Sequence, residues 1–386
     1  MEVAGPGSKN ALILSGGGAR AAYQVGVLSA INEILPSNCH NPFPIICGTS
    51  AGAINALALA THTGSFREAA SDLDSIWRQI AIEKVFRTGW WQHTKDLGRI
   101  FASLFNQGVG KDRPLSLLDN TPLKELLLEI LEFENIQKGI DAGDLDAVCV
   151  TALGYTSGES VSFFEGKESL ASWRRHRRVG QPTKLTVNHL LASSAIPTIF
   201  PTVKINREYF GDGAMRQLAP ISPALHLGAT GVLVIGVSGN RNPAHWAKRR
   251  IKPKHSPSMA QILGHMFNSA FIDSLEGDIE HLERVNKLLS MIPGDVVTDS
   301  GAVLKEVKTL VISPSKELDK IAGRKVRYLP SSMRFFMGAT GATARGGGSA
   351  AASYLLFEKA FCDELIELGY QDAMWEKEAI QGFFGL

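Results

Sequence analysis

The 386-residue sequence has few cysteines, little net charge and no apolar run long enough to cross a membrane. Its four cysteines show no CxxC or Cys/His spacing typical of zinc sites, so we interpret them as small buried side chains in a reducing compartment. The 40 basic and 38 acidic residues leave a net charge of +2, which argues against a general nucleic-acid binder. The longest apolar stretch, residues 45–60, is shorter than the roughly 20 residues of a spanning helix.

The first ten residues also lack the basic segment and long apolar core of a secretory signal. The apolar run at 11–14 is too short for such a core and is followed by glycines. We therefore expect a cytoplasmic protein, and any contact with a membrane is expected to be peripheral.

Short apolar runs alternate with helical periodicity at the start of the chain. Residues 11–14 and 44–47 are predicted strands, and each is followed by a glycine turn and a helix, at 21–35 and 51–60. Successive strand–turn–helix units are typical of a parallel α/β sheet. The sequence therefore predicts a three-layer α/β/α fold with a mainly parallel central sheet.

The rest of the chain predicts additions to this sheet. Residues 65–135 have aromatic residues among basic ones and no obvious strand, which favours a helical insertion. Further strands are expected at 146–153, 160–164, 199–205, 231–236 and 309–313. We expect one main domain at 8–240. A C-terminal part, 241–386, would complete the sheet, add helices as an extension, and not fold independently.

The segment from Gly48 to Gly52 is a GxSxG motif between a predicted strand and a predicted helix. A nucleophile on a sharp strand-to-helix turn needs small residues two positions before and after it. The positive end of the following helix favours negative charge that develops at the site. A bare GxSxG is a weak signal, and this context strengthens it. Ser50 is the candidate nucleophile, and an ordinary serine in a glycine turn is the alternative.

A second glycine-rich turn, from Gly16 to Arg20, also separates a strand from a helix. Consecutive glycines let backbone N–H groups converge on an oxyanion or a phosphate. The Lys-Ser/Thr of a P-loop is missing, and a dinucleotide motif ending at Ala21 has no acidic residue closing a strand near residue 40. An oxyanion loop is favoured because the candidate nucleophile ends the next strand.

Asp212 is the candidate base, because it is flanked by glycines after an apolar approach. A carboxylate presented in this way can accept the proton of a serine hydroxyl. The alternative is a common Asp-Gly hairpin turn. A Ser–Asp–His triad also stays open, since no histidine is distinguished by its setting. The histidines that follow Asp212 are His226, His245, His255, His265 and His281.

Four segments resemble, in order and approximate spacing, the signatures of patatin-like phospholipases. They are GGGxR at Gly16 to Arg20, GxSxG at Gly48 to Gly52, a small-residue block ending in Pro at Ala192 to Pro197, and DGA at Asp212 to Ala214. The resemblance covers roughly residues 10–240, and it is specific because four motifs agree. Alanine in the last motif is the variant seen in bacterial members.

The resemblance implies a carboxylic-ester hydrolase that degrades lipids through an acyl-enzyme. Its substrates would be fatty-acyl esters of phospholipids, lysophospholipids or neutral lipids. Ser50 would be the nucleophile and Asp212 its partner, in a dyad without histidine. Gly16, Gly17, Gly18 and Arg20 would form the oxyanion hole and its loop, and Gly48 and Gly52 would shape the turn around the serine. No metal and no cofactor is implied.

Two other functions are open. An acyltransferase would deliver the acyl group from the same serine to an alcohol or a carrier. Acyl-carrier-protein transacylases have a related architecture but use a serine–histidine pair and lack the GGGxR loop. A non-catalytic lipid-binding protein is the other alternative, and the intact Ser50 and Asp212 argue against it.

Two basic clusters stand out against the nearly neutral total charge. One extends from Arg174 to Arg178 beside Trp173, and the other from Lys248 to Lys254 after Trp246. Tryptophan beside cationic side chains suits an anionic membrane surface. A solvated surface and an RNA-binding patch are the alternatives, and we expect no nucleic-acid partner. The aromatic region 77–105 would form a lid, a wall of an acyl pocket, or packing on the sheet.

Overall fold

The computed structural model describes most of the chain. The described residues are 9–37, 39–87, 116–238, 262, 265–266, 268–269, 274–292, 296–297, 303–329, 331, 334 and 349–386. The basic cluster from Lys248 to Lys254 lies outside them, as do His245 and His255.

Twelve strands lie in the described residues, and ten of them form one sheet. In chain order they are β1 (Asn10–Leu14), β2 (Ile45–Thr49), β3 (Ala147–Gly154), β4 (Ser160–Gly166), β5 (Trp173–Arg175), β6 (Arg178–Pro182), β7 (Val203–Ile205), β8 (Glu208–Asp212), β9 (Gly231–Ile235), β10 (Val296–Val297), β11 (Val303–Leu304) and β12 (Lys308–Ile312). β10 and β11 pair only with each other.

Five neighbouring strands run parallel, in the order β12–β9–β1–β2–β3. The sheet continues on the far side of β3 with β4 antiparallel to β3, β6 parallel to β4, and β5 antiparallel to β6. β8 pairs with the last residues of β3, and β7 pairs with β8. The predicted mainly parallel central sheet is confirmed, with a mixed region at one edge.

Thirteen α-helices are described. They are α1 (Ala22–Ile34), α2 (Ala51–Ala60), α3 (Phe66–Arg78), α4 (Ile82–Val85), α5 (Thr121–Ile130), α6 (Glu134–Ala142), α7 (Val187–Ser193), α8 (Ser222–His226), α9 (Ser274–Leu289), α10 (Leu318–Lys325), α11 (Ser349–Leu355), α12 (Lys359–Trp375) and α13 (Lys377–Phe384).

Helices cover both faces of the sheet because side chains alternate along each strand. In β1, Leu12 and Leu14 belong to the larger hydrophobic core, whereas Ala11 and Ile13 belong to the smaller one. α8 and α9 supply the helical side chains of the smaller core, and the other described helices pack in the larger core. The three-layer α/β/α fold is therefore confirmed.

Two parts of the fold differ from the sequence-based expectation. The strand expected at 199–205 is only β7, because the carbonyl groups of Thr198 and Ile199 accept backbone hydrogen bonds from Leu117 and Leu118 instead of a neighbouring strand. Residues 173–182 form the β5–β6 hairpin, which the sequence did not indicate. In the range 65–135, the described elements are, in chain order, α3, α4, α5 and the start of α6, together with one isolated bridge. The domain boundaries at residue 240 stay a prediction.

Candidate active site

Ser50 lies at the sharp turn between β2 and α2. Its backbone has φ 55° and ψ −130°, a conformation that side-chain-bearing residues rarely adopt. The turn leaves no room at the neighbouring glycines. A Cβ at Gly48 would lie 2.5 Å from the carbonyl oxygen of Gly52, and a Cβ at Gly52 would lie 2.3 Å from that of Leu14. Glycine is thus required on both sides of the serine, as the motif predicts.

Ser50 and Asp212 are in direct contact. The Ser50 Oγ donates a hydrogen bond of 2.7 Å to Oδ2 of Asp212. The other carboxylate oxygen, Oδ1, accepts a bond of 3.0 Å from the backbone N–H of Ala214. Both side chains are buried, with 1% of Ser50 and 0% of Asp212 exposed. The structure therefore brings the predicted nucleophile and base together.

Strand β3 sets the positions of these two residues. Thr49, directly before the serine, pairs with Thr151, and Asp212 pairs with the next residue of β3, Ala152. At Ala152 and Leu153 the other side of β3 is occupied by β4, so β8 pairs with β3 on the side that β2 leaves free. The main chain of β3 thus places Ser50 and Asp212 next to each other.

Burial determines the acidity of Asp212. It raises the pKa of this carboxyl group to about 7, although the hydrogen bonds from Ser50 and from the Ala214 amide both act to lower it. A carboxylate whose pKa lies near neutrality is a stronger base than an ordinary aspartate and still loses its proton at physiological pH. The pair can therefore transfer the serine proton to the aspartate.

Ser193 holds the nucleophile turn in place, a role that the sequence did not reveal. Its hydroxyl accepts a hydrogen bond of 2.8 Å from the backbone N–H of Ser50 and donates one of 2.6 Å to the carbonyl of Thr151. Two residues later, the carbonyl of Ala195 accepts the N–H of Asp212 at 3.0 Å. The block from Ala192 to Pro197 therefore contacts both Ser50 and Asp212. Its run of small residues was the only feature of the sequence that pointed to this role.

The glycine loop after β1 faces the same cavity as Ser50, since Gly18 and Ser50 both line it. Gly18 has φ 55°, and a Cβ there would lie 2.1 Å from the carbonyl oxygen of Tyr354. Gly17 has an extended φ of 175°. A Cβ at Gly17 would lie 2.6 Å from a methyl group of Val237. The close packing fixes this loop beside the nucleophile.

Arg20 anchors the glycine loop to the C-terminal part of the chain. Its Nε donates to Ser353 at 2.7 Å, and its Nη2 donates to Asp319 at 2.5 Å and to Asn268 at 3.3 Å. The guanidinium also lies over the ring of Tyr354, 4.1 Å from the centroid. Arg20 is buried and its Nε and Nη2 groups are hydrogen-bonded, so it contributes to the shape of the loop.

An apolar cavity of about 690 Å³, which includes its part open to solvent, extends from Ser50. Ile54 and Ala58 follow the serine along α2 at intervals of one turn, so the cavity runs about 12 Å along this helix. Trp77 forms part of its wall, and the indole N–H donates to Asn55 at 2.8 Å. The apolar lining of the cavity is suited to an aliphatic chain.

A second cavity of about 980 Å³ adjoins the first between α3 and α5. The two cavities share the side chains of Ile76, Ile80, Leu126 and Ile130. These four residues form the wall that the two cavities share. In the aromatic region 77–105, the residues after Arg87 lie outside the described structure.

Two of the histidines that left a triad open, His226 and His281, lie away from Ser50. His226 is on α8, against the opposite face of the sheet, where its ring stacks on Trp173 with centroids 4.9 Å apart. Burial, Arg175 and Arg178 lower its pKa to about 4. His281 is on α9, which packs on the same opposite face. In the described structure, the hydrogen-bond partner of the Ser50 hydroxyl is Asp212.

Comparison with known proteins identifies the family of the chain. The family model described as patatin-like phospholipase matches residues 12–225, more than half of the chain. The chain therefore belongs to the patatin-like phospholipase family.

Two relatives are both described as "cGAMP-activated phospholipase". The one from Pseudomonas aeruginosa (strain BWHPSA011 / Pa011) is 29% identical over 218 residues, which are 56% of this chain and 55% of the relative. The one from Escherichia coli (strain TW11681) is 29% identical over 213 residues, 53% of this chain and 51% of the relative. The chain thus spans about half the length of the curated relatives it matches.

Two solved structures align over nearly the whole chain at low similarity. VipD from Legionella pneumophila gives a TM-score of 0.36 at 12% identity, over 97% of this chain and 68% of that protein. Human GIVD cytosolic phospholipase A2 gives a TM-score of 0.43 at 11% identity, over 98% of this chain and 60% of that protein. Among the described residues, no helix combines the length and apolar character needed to cross a bilayer.

Proposed function

We propose that this protein hydrolyses fatty-acyl esters of lipids, with Ser50 as nucleophile and Asp212 as general base. The observation that supports this most is the 2.7 Å hydrogen bond between the two side chains at one end of an apolar cavity. Membership of the patatin-like phospholipase family supports a lipid substrate. The acyl chain would lie in the cavity along α2, with its carbonyl carbon next to the serine.

The reaction would proceed in two stages. As Ser50 Oγ attacks the ester carbonyl, its proton moves to Asp212, and the oxyanion is stabilised by the amides of Gly17 and Gly18. Collapse of this intermediate releases the alcohol, which takes the proton from Asp212, and leaves an acyl-serine. Water then attacks the acyl-serine as Asp212 accepts a proton from it. Release of the fatty acid returns that proton to Ser50.

The test is a comparison of matched variants on p-nitrophenyl esters and on defined phospholipids, with product analysis. Ser50→Ala and Asp212→Asn should each lower kcat/KM at least about a thousandfold, because each removes a group that takes part in bond formation or proton transfer. Asp278→Asn is a control, since Asp278 is another carboxyl group whose pKa is raised mainly by burial, on the opposite face of the sheet.

Two outcomes would contradict the proposal. Full activity in Asp212→Asn together with loss in His226→Ala would replace the dyad with a histidine-dependent triad. Faster transfer of the acyl group to added lysolipid or glycerol than to water would make the protein an acyltransferase.

The assays should be run with and without cGAMP. Both relatives are named for activation by this nucleotide, and this chain matches about half of each. Activity that depends on cGAMP would extend their mode of control to this protein. A cytoplasmic location and peripheral contact with a membrane are further expectations from the sequence.

A further inference from the structure

Three turns project from the end of the sheet at which Ser50 lies. This is the end where the parallel strands finish, and the β3–β4 turn, the β5–β6 turn and the β7–β8 turn all extend beyond it. Leu153 pairs with Ser160, which pairs with Arg178, and β8 runs antiparallel past the end of β3. Residues 155–159, 174–178 and 204–208, which we call the rim, therefore lie on one side of the molecule.

The rim is strongly cationic. It contains two acidic side chains and six basic ones, a net charge of +4, compared with +2 for the entire chain. The basic residues are Arg174, Arg175, Arg177, Arg178, Lys204 and Arg207. Positive charge is thus concentrated next to the site in a protein that is otherwise close to neutral.

The charges of the rim are largely uncompensated. Glu159 pairs with Arg174 at 2.9 Å, and the Glu208 carboxylate is occupied by the backbone N–H groups of Thr156 and Ser157. Arg178 contributes to lowering the pKa of Asp278, so part of its charge is balanced there, although burial raises that pKa overall. Four exposed cations remain without an acidic partner in the described structure: Arg175, Arg177, Lys204 and Arg207.

Apolar side chains are exposed beside these charges. Tyr155 is 44% exposed, and Tyr209, which pairs with Lys204, is 45% exposed. Leu218 is 66% exposed and follows Gln217, whose side chain is bonded to Thr49 next to Ser50. Tyr155 lies against Gly211, the residue before Asp212. Burial and the charge of Asp212 both raise the pKa of the Tyr155 hydroxyl. Exposed Tyr and Leu beside Arg and Lys are typical of surfaces that meet the headgroups and upper acyl region of a bilayer.

The spacing allows one flat surface to contact the rim and the site together. Neighbouring strands are about 4.8 Å apart, so the β5–β6 hairpin lies roughly 14 to 19 Å from β2, three or four strands away. Arg207 is closer, since β8 takes the place of β2 beside β3. A bilayer that touches the hairpin at this end therefore extends over the region of Ser50.

We propose that the rim docks the protein on an anionic lipid bilayer and turns the Ser50 end of the sheet toward the membrane. The orientation rests on the proposed lipid hydrolysis, whereas the binding itself does not. A bilayer is favoured over RNA because Leu218, next to the rim, exposes an aliphatic side chain that neither phosphate contacts nor base stacking uses. Trp173 takes no part, since its ring is stacked between Phe164 and His226.

The binding test uses the whole chain with Ser50→Ala, so that vesicles stay intact. Sedimentation is measured with vesicles of phosphatidylcholine alone and of equal parts phosphatidylcholine and phosphatidylglycerol. The rim variant is Arg175→Gln, Arg177→Gln, Arg207→Gln. The control variant removes the same charge at the opposite end of the sheet, with Arg67→Gln, Lys138→Gln, Lys287→Gln, all of which are exposed.

We expect the parent to bind anionic vesicles and not neutral ones, and the rim variant to bind them at least about tenfold more weakly, because each basic side chain near an anionic surface strengthens binding about fivefold. The control should bind like the parent. Equal weakening in both triple variants, or no preference for anionic vesicles, would overturn the proposal. So would tighter binding to single-stranded RNA than to anionic vesicles at the same salt concentration.

Activity with Ser50 restored separates this proposal from the proposed function. The rim variant should keep the parent's rate on a soluble p-nitrophenyl ester and lose at least about tenfold on anionic vesicles. If the parent hydrolyses neither substrate but the rim still mediates binding, the proposed function fails and the docking surface stands. If both substrates are hydrolysed equally by parent and rim variant, the docking surface is overturned and the function stands.

Discussion

The guanidinium of Arg20 donates a 2.5 Å hydrogen bond to the carboxylate of Asp319, which lies 299 positions further along the chain. Arg20 belongs to the glycine loop beside Ser50, and Asp319 belongs to the first turn of α10. The segment matched by the family model ends at residue 225. The shape of the proposed oxyanion loop therefore depends on a residue well outside the part of the chain that defines the family.

Replacing Asp319 should lower the turnover number without removing the substrate site. In Asp319→Asn the acceptor becomes neutral while Arg20 keeps its charge, so an ion pair is replaced by a weaker hydrogen bond and the loop is held less firmly. We expect kcat to fall roughly tenfold while KM changes less than about twofold, as measured with a soluble ester. The control is Lys320→Gln at the next residue, because the Lys320 side chain is exposed and pairs with Glu317. An unchanged kcat in Asp319→Asn would show that the loop keeps its shape without this bond.

The acidity of Asp212 predicts the pH dependence of the reaction. Burial raises its pKa to about 7, and the general base must be deprotonated. We expect kcat/KM on a soluble ester to rise with pH through a single ionisation near pH 7 and to level off above it. A profile that is flat between about pH 5 and pH 8 would argue against Asp212 as the base.

The ionised carboxylate of Asp212 should lower the free energy of unfolding. Since the pKa of Asp212 is raised in the folded state, the carboxyl group favours folding while protonated, and this contribution is lost as the pH rises from about 4 through about 7. We expect Asp212→Asn to be more stable than the parent at pH 8, by up to about 4 kcal/mol, at about 1.4 kcal/mol per pKa unit. Denaturant unfolding of both proteins at pH 6 and pH 8 is the measurement, and an advantage that shrinks at pH 8 would contradict this.

Gly18 should not tolerate a side chain. Its φ is 55°, and an added Cβ would lie 2.1 Å from the carbonyl oxygen of Tyr354, so Gly18→Ala must move the loop. Gly143→Ala is a matched control, with φ 82° and no atom within 4 Å of the added Cβ. Both variants carry the backbone strain of about 1 kcal/mol, but only Gly18→Ala should lose at least about tenfold in kcat. Equal activity in the two would show that the loop shifts without consequence.

Leu126 should influence the acyl chain length that the protein accepts. It belongs to the wall shared by the two cavities, whereas Leu128 on the same helix is 55% exposed and lines neither. We expect Leu126→Trp to shift the preference on a series of p-nitrophenyl esters toward shorter chains, because the larger ring takes up space inside the cavity. Leu128→Trp should leave the series unchanged, and a shift of equal size in both would contradict the assignment of the wall.

The parallel centre of the fold was predictable because its strands are continuous apolar runs such as residues 231–235, buried on both faces. The β5–β6 hairpin was not. Its strands contain Arg174, Arg175 and Arg178 with no alternating pattern, and they pair at the edge of the sheet where charge is tolerated. Local patterns identify buried strands much better than exposed edge strands.

The candidate site shows the same limit. Ser50 and the glycines around it can be recognised in the sequence, because a sharp turn requires small residues at fixed spacing. The proximity of Asp212 followed only from family resemblance, and its partner strand, β3, could not be deduced from spacing. The small-residue block from Ala192 to Pro197 was the only feature that pointed to Ser193. Asp319 and Ser353 had no local signal, because their roles depend on contacts between segments that are far apart in the chain.

The pairing of β3 with both β2 and β8 has a consequence for how the protein can vary. The separation of Ser50 and Asp212 is set by consecutive residues of one strand, Thr151 and Ala152, through their main chains. Substituting side chains on β3 changes packing but leaves this alignment in place. Inserting or deleting a single residue there would shift Ser50 relative to Asp212 by a full residue. Length changes should accumulate in the turn at 155–159 and be absent from the strand before it.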